Sequence, residues 1–191
     1  MAHRPAASIL ILTATMILAL PAKGQQNVNP KNDGAHVAHG MALAKKGDLD
    51  GAIAEFREAV RLNPKNENAH LYLGWALTKK GDWDGAIAEY REAQRLNPKN
   101  ENAQGLLANA HVSLGVELER KGDWDGQIAE LREALRLNPN NGNAHFLLGV
   151  GLERKGKYEE ALGEFRVAHE LDPQNPAFRE GYERLSKQVN H

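Results

Sequence analysis

GDLDGAIAEFREAVRLNPKNENA (residues 47–69) and GDWDGAIAEYREAQRLNPKNENA (residues 81–103) are identical at 20 of 23 positions and lie 34 residues apart. A third copy, GDWDGQIAELREALRLNPNN, opens at Gly122, and a fourth, GKYEEALGEFRVAHELDPQN, opens at Gly156. The period decides the fold, because a unit this short cannot bury its apolar face alone and must stack on its neighbours. Within a unit, Leu73, Gly74 and Leu77 mark a first helix that Gly81 ends. Ala86, Ile87, Tyr90 and Ala93 recur at helical spacing on a second, which Pro98 stops. The expected fold class is all-α, with two antiparallel helices per unit.

Composition agrees. The chain has 191 residues, 41% hydrophobic and 26% charged, the balance of a folded soluble protein. Aromatics are only 6%, so the core must be built from Ala, Leu, Ile and Val in closely packed helices. The 24 Lys and Arg balance 25 Asp and Glu, leaving no basic field to hold nucleic acid. Cysteine is absent, which excludes disulfides, thiolate nucleophiles and Cys-ligated zinc.

The pattern resembles the tetratricopeptide repeat (TPR) family. Gly40, Gly74, Gly115 and Gly149 stand at its close helix crossing, Ala59, Ala93, Ala134 and Ala168 on the second helix, and Pro64, Pro98, Pro139 and Pro173 at the exit. The resemblance covers residues 33 to about 174. It implies an α-solenoid of four TPR units: 33–66, 67–100, 101–141 and 142–175. Residues 176–191 form a capping helix and tail: Pro176 opens the helix, and Phe178, Tyr182 and Leu185 share one side.

Ahead of the repeats, an apolar run from Ala6 to Leu20 lies between Arg4 and Pro21-Ala22-Lys23-Gly24, the layout of a secretory signal. The run is shorter than the roughly 20 residues of a spanning helix. Residues 1–24 are therefore expected to be a cleaved signal rather than an anchor, and 25–32 a linker. The mature chain would be periplasmic or secreted, with no stable membrane span.

Departures from the repeat carry further expectations. Pro64 to Pro98 and Pro139 to Pro173 are both 34 residues, but Pro98 to Pro139 is 41, so seven residues have entered the first helix of the third unit. Seven residues turn a helix by about 700°, which keeps its apolar face and adds about 10 Å. The longer helix could dock by Leu107-Ala108 or by Leu114-Gly115. A protruding end carrying Leu106 and Leu107 would be a self-association or partner contact. Gly51, Gly85 and Gly126 replace the family's acidic residue in the first turn of the second helix, and Gln127 replaces Ala at a packing position.

His36, His70, His111 and His145 fall at one place in all four units. Packed helices lie about 8–10 Å apart, whereas zinc ligands sit about 2.0–2.1 Å from the metal, so this ladder is read as structural rather than as one site. Only His36 and His39 could face a single ion. No Ser–His–acid arrangement or phosphate-cradling loop occurs, so neither an enzymatic activity nor a cofactor is expected.

Binding is favoured instead. The family resemblance places Val37, Met41, Leu71, Tyr72, Trp75, Val112, Val116, Phe146 and Val150 along a concave apolar strip, suited to a peptide or partner helix. Lys45, Lys79, Arg120 and Arg154 would rim it. These cations complement the helix dipoles and could also favour an acidic, hydrophobic partner segment. Relatives that grip chaperone tail carboxylates use Lys and Asn where Val37 and Met41 stand, so that activity is not expected. The chain reads as an exported scaffold for a protein or peptide partner. The alternatives are a self-assembling homo-oligomer, through the open first repeat and the lengthened third, and a metal or small-ligand carrier through His36 and His39.

Overall fold

The computed structural model describes residues 32–189; the expected signal, 1–24, and all but the last residue of the expected linker lie outside the described residues. Among the described residues all regular structure is helical: α1 (Asp33–Lys45), α2 (Leu49–Leu62), α3 (Glu67–Lys80), α4 (Trp83–Leu96), α5 (Glu101–Lys121), α6 (Trp124–Leu137), α7 (Gly142–Arg154), α8 (Tyr158–Leu171) and α9 (Pro176–Val189). Each helix packs on the next, so the chain forms an all-α solenoid of helical pairs closed by α9.

The caps explain why the boundaries repeat. Asn32, Asn66, Asn100 and Asn141 precede the first helix of each unit, and each side chain accepts from a backbone N–H in the first turn. Asp48, Asp82 and Asp123 do the same for the second helices, accepting from Gly51, Gly85 and Gly126 at 2.9–3.0 Å. A Cβ on those glycines would stand 2.5–2.6 Å from the capping carboxylate, so the small residue leaves room for the cap. In the fourth unit Lys157 makes no side-chain cap, and Glu160 takes the glycine's place and pairs with Lys157 at 3.1 Å.

The crossings are as tight as the repeat implies. A Cβ added at Gly40, Gly74 or Gly149 would come within 2.5–2.8 Å of the ring of Phe56, Tyr90 or Phe165, so aromatic rings lie directly on bare backbone. Phe56 and Phe165 have no exposed surface and Tyr90 has 2%. Burying each such side chain contributes roughly 1.5–3 kcal/mol.

The seven added residues make α5 21 residues long against 13 or 14 for the others. Its crossing with α6 uses Gly115, whose missing Cβ faces Leu131 at 3.1 Å. The extra turns do not protrude: Leu107 is 1% exposed and Leu106 is half-buried, which corrects the expectation of a free apolar end. Leu107, Ala108 and Ala110 join a first core with residues of α2, α3 and α4. Val112 instead packs on a second core built from α6, α7, α8 and α9. One long helix thus joins two apolar clusters.

Candidate functional site: an apolar pocket between alternate helices

The first helices of the units line one face, where α1 touches α3 and α5 touches α7. α3 and α5 both face the space beside α1. Here lies a pocket of about 630 Å³. Its floor and walls are Met41 and Ala44 of α1, Phe56 of α2, Leu71, Tyr72 and Trp75 of α3, and Leu106 of α5. The Phe56 and Tyr72 rings stack at 5.7 Å between centroids and 19° between planes, which stiffens the floor. The polar lining comes from Lys45 and the carboxamides of Asn68 and Asn102. No carboxylate lines the pocket among the described residues.

Five of the thirteen residues anticipated from sequence, Met41, Lys45, Leu71, Tyr72 and Trp75, meet in this pocket. Val37 lies half-buried one turn before Met41, outside the pocket lining. Val116, 37% exposed, is also outside it. Val112 and Val150 pack on the second core. Phe146 lies 5.4 Å from Phe165 and 5.3 Å from Phe178, so the capping helix covers that end of the strip. The pocket is therefore short and belongs to the first half of the chain. Ala44, Phe56, Asn68 and Asn102 were not anticipated, and Leu106 was anticipated only as part of a protruding contact, not of this pocket. Asn68 and Asn102 stand 34 apart in the repeat, which is a legible signal; Leu106 depends on the register of the long helix.

Much of the basic rim is neutralised within the chain. Lys80 pairs with Asp50 at 3.0 Å, Lys155 with Asp125 at 2.9 Å, and both Arg120 and Lys121 reach Glu117, at 2.9 and 3.6 Å. The Arg154 guanidinium lies 5.7 Å over the Trp124 ring, a cation–π contact. Lys79 is exposed and has no carboxylate within ion-pair distance among the described residues. Lys45 has none either, and it alone of the four lines the pocket.

The histidine ladder is structural in a specific way. His36, His70, His111 and His145 each place Nδ1 2.6 Å from a glutamate 19 residues on: Glu55, Glu89, Glu130 and Glu164. His39 Nδ1 also approaches Glu55, at 3.1 Å, so the two histidines considered as ligands converge on one carboxylate. No group of three or more metal-ligating side chains forms among the described residues. His70 is held above its usual pKa chiefly by Glu89, and His145 by Glu164.

A tetratricopeptide repeat family model matches residues 37–101 and 106–176, and the chain belongs to this family. The break between the two matches falls on the inserted turns of α5. No curated protein matches the chain in sequence. Among solved structures it is similar to the crystal structure of MamA, with TM-score 0.60 and 20% identity over 83% of this chain and 82% of that one. It also resembles YrrB, "a TPR protein with an unusual peptide-binding site", with TM-score 0.57 and 20% identity over 85% and 80% of the two chains. MamA from Desulfovibrio magneticus RS-1 matches with TM-score 0.57 and 16% identity over 83% and 85%. These likenesses show a shared fold.

Proposed function

We propose that this protein is an exported, non-catalytic scaffold that seats a short segment of a protein partner in the pocket between α1, α3 and α5. The observation that carries this reading is the pocket itself: about 630 Å³, largely apolar, lined by residues of α1, α2, α3 and the lengthened α5. A large apolar side chain of the partner enters between Trp75 and Leu106, and the Asn68 and Asn102 carboxamides meet its backbone. Lys45, unopposed by any lining carboxylate, favours an acidic residue beside that anchor. The TPR fold supports a role in protein or peptide interaction, and the structurally similar YrrB is described as having a peptide-binding site. Export rests on the apolar run of residues 6–20, and no described helix is long and apolar enough to cross a membrane.

A displayed peptide library panned against the mature chain tests the pocket. Enriched peptides should carry an apolar residue next to an acid and should lose binding to Trp75→Asp and Leu106→Asp variants whose circular dichroism is unchanged. Peptides that bind those folded variants equally well would place the partner surface elsewhere. The N-terminal residue of protein recovered from the host envelope tests export; a chain that still begins at Met1 would refute cleavage.

A further inference from the structure

The four histidines share a glutamate partner but differ at the other ring nitrogen. His70 Nε2 lies 3.1 Å from the Pro64 carbonyl, and His145 Nε2 lies 2.9 Å from the Pro139 carbonyl. In both, each ring nitrogen faces an acceptor, so both hydrogen bonds exist together only when the ring and its glutamate hold one proton more than a neutral imidazole and a carboxylate. His111 differs. The inserted turns put it 13 residues beyond Pro98 instead of 6, and its Nε2 meets the Arg91 guanidinium, which can only donate, at 3.5 Å. That ring nitrogen faces a donor, not a second acceptor.

We propose that His70 and His145 are proton-held clasps at the α2–α3 and α6–α7 junctions, which loosen when the proton leaves, and that the first of them regulates the pocket. The second part rests on the pocket reading above; the clasps themselves do not. Each clasp ties three pieces of chain: the first helix of a unit, the second helix through its glutamate, and the loop from the preceding unit through the proline carbonyl. Without the extra proton one of the two acceptors loses its donor; at His70 both contacts are partly buried, so the loop or the helix must move to meet water, whereas at His145 the Pro139 carbonyl is exposed and the loop is released to solvent. On α3 the residues that follow the clasp are Leu71, Tyr72 and Trp75, the wall of the pocket.

The charged surroundings favour the protonated form. Glu89 and Glu92 of α4 both act on His70, and Glu164 of α8 acts on His145. The counterparts of Arg91 do not compete: Arg57 of α2 makes no hydrogen bond to His70 among the described residues, and Arg132 of α6 pairs with Glu160 at 3.2 Å. With a folded pKa above the usual 6.5, each clasp contributes fully below that value and is lost as pH rises through the folded value.

The test is made on the wild-type chain without any ligand, so it stands or fails apart from partner binding. Long-range ¹H–¹⁵N spectra report the protons on each imidazole. The His70 and His145 rings should be doubly protonated at pH 6 and lose a proton at higher pH. After correction for intrinsic exchange, amide protection of the α2–α3 and α6–α7 loops should fall about threefold or more with the same midpoints. Tyr72 and Trp75 side-chain signals should move with the His70 midpoint. Glu89→Gln should shift that midpoint down by about one pH unit. Rings that keep a single proton across the range while the ¹³C carboxyl shifts show Glu89 and Glu164 ionised, or protection that does not change with pH, would overturn the clasps. A titrating His70 with unmoved Tyr72 and Trp75 signals would overturn its link to the pocket.

Discussion

At the scale of single residues, Gln127 shows how a polar intruder is accommodated in a repeat core. It is fully buried where the other units place Ala; its Nε2 donates to Glu119 at 3.2 Å, and its Oε1 has no protein partner among the described residues. Gly151 stands opposite, where the second unit has Ala76, and a Cβ there would come 2.7 Å from Gln127 Oε1. The two departures compensate each other. Gly151→Ala is predicted to cost about 1 kcal/mol in the wild type through overpacking. In a Gln127→Ala background the same change should be neutral or stabilise by up to about 1 kcal/mol through helix propensity. Urea denaturation of the four proteins measures this coupling. The ion pairs set a pH optimum. Asp33 is held below its ordinary 3.8 by hydrogen bonds from Asn66 and Asn63, and Glu153 below 4.5 by Arg184; these contributions are present at higher pH and lost in acid. His70 and His145, raised above 6.5, contribute below that value and lose it as pH rises. Thermal melts should therefore show greatest stability between about pH 4.5 and 6.5, with decline on both sides.

At the scale of elements, α5 decides what the molecule offers. Removing Gln104–Ala110 would leave NENAHVSLG, the match of NENAHLYLG in the second unit, and turn the remaining helix by almost two full turns. The shortened chain should fold with similar helicity per residue by circular dichroism, remove Leu106 from the pocket lining and lose peptide binding there. It should also place His111 six residues after Pro98 and so create a third two-proton clasp, visible as a further doubly protonated imidazole at pH 6. Retained pocket binding in this deletion would show that the inserted turns do not make the site. Helix pairs and the closing helix were legible in the sequence because each rests on local residue types: Gly and Ala at crossings, Pro at exits and at the start of α9. The register of α5 was not, since Leu107-Ala108 and Leu114-Gly115 fit a crossing equally well by pattern. Only packing against Leu131 and the first core separates them. The extent of the groove was hidden for a related reason: whether Phe146 faces a partner or Phe178 depends on where α9 lands.

At the scale of the whole molecule, the solenoid is asymmetric in what it exposes. Its second half is capped, with Phe146, Phe165 and Phe178 packed together and Arg184 of α9 gripping Glu153 through two hydrogen bonds at 2.6 and 2.7 Å. Its first half carries the open apolar pocket and the unopposed Lys45. The basic residues ending the first helices looked like a continuous rim in sequence, yet most are held by Asp50, Asp125, Glu117 or Trp124, contacts that bring together residues up to 30 apart. The measurement that decides between a working pocket and a merely structural gap is site-specific photocrosslinking in the native host. A benzophenone side chain is placed at Leu106 in one protein and at the exposed Arg57 of α2 in another. A partner segment identified by mass spectrometry from position 106 and absent from position 57 is the predicted result. The same adducts from both positions, or from position 57 alone, would contradict it, and a cross-link from 106 to a second copy of this chain would replace a foreign partner with self-assembly.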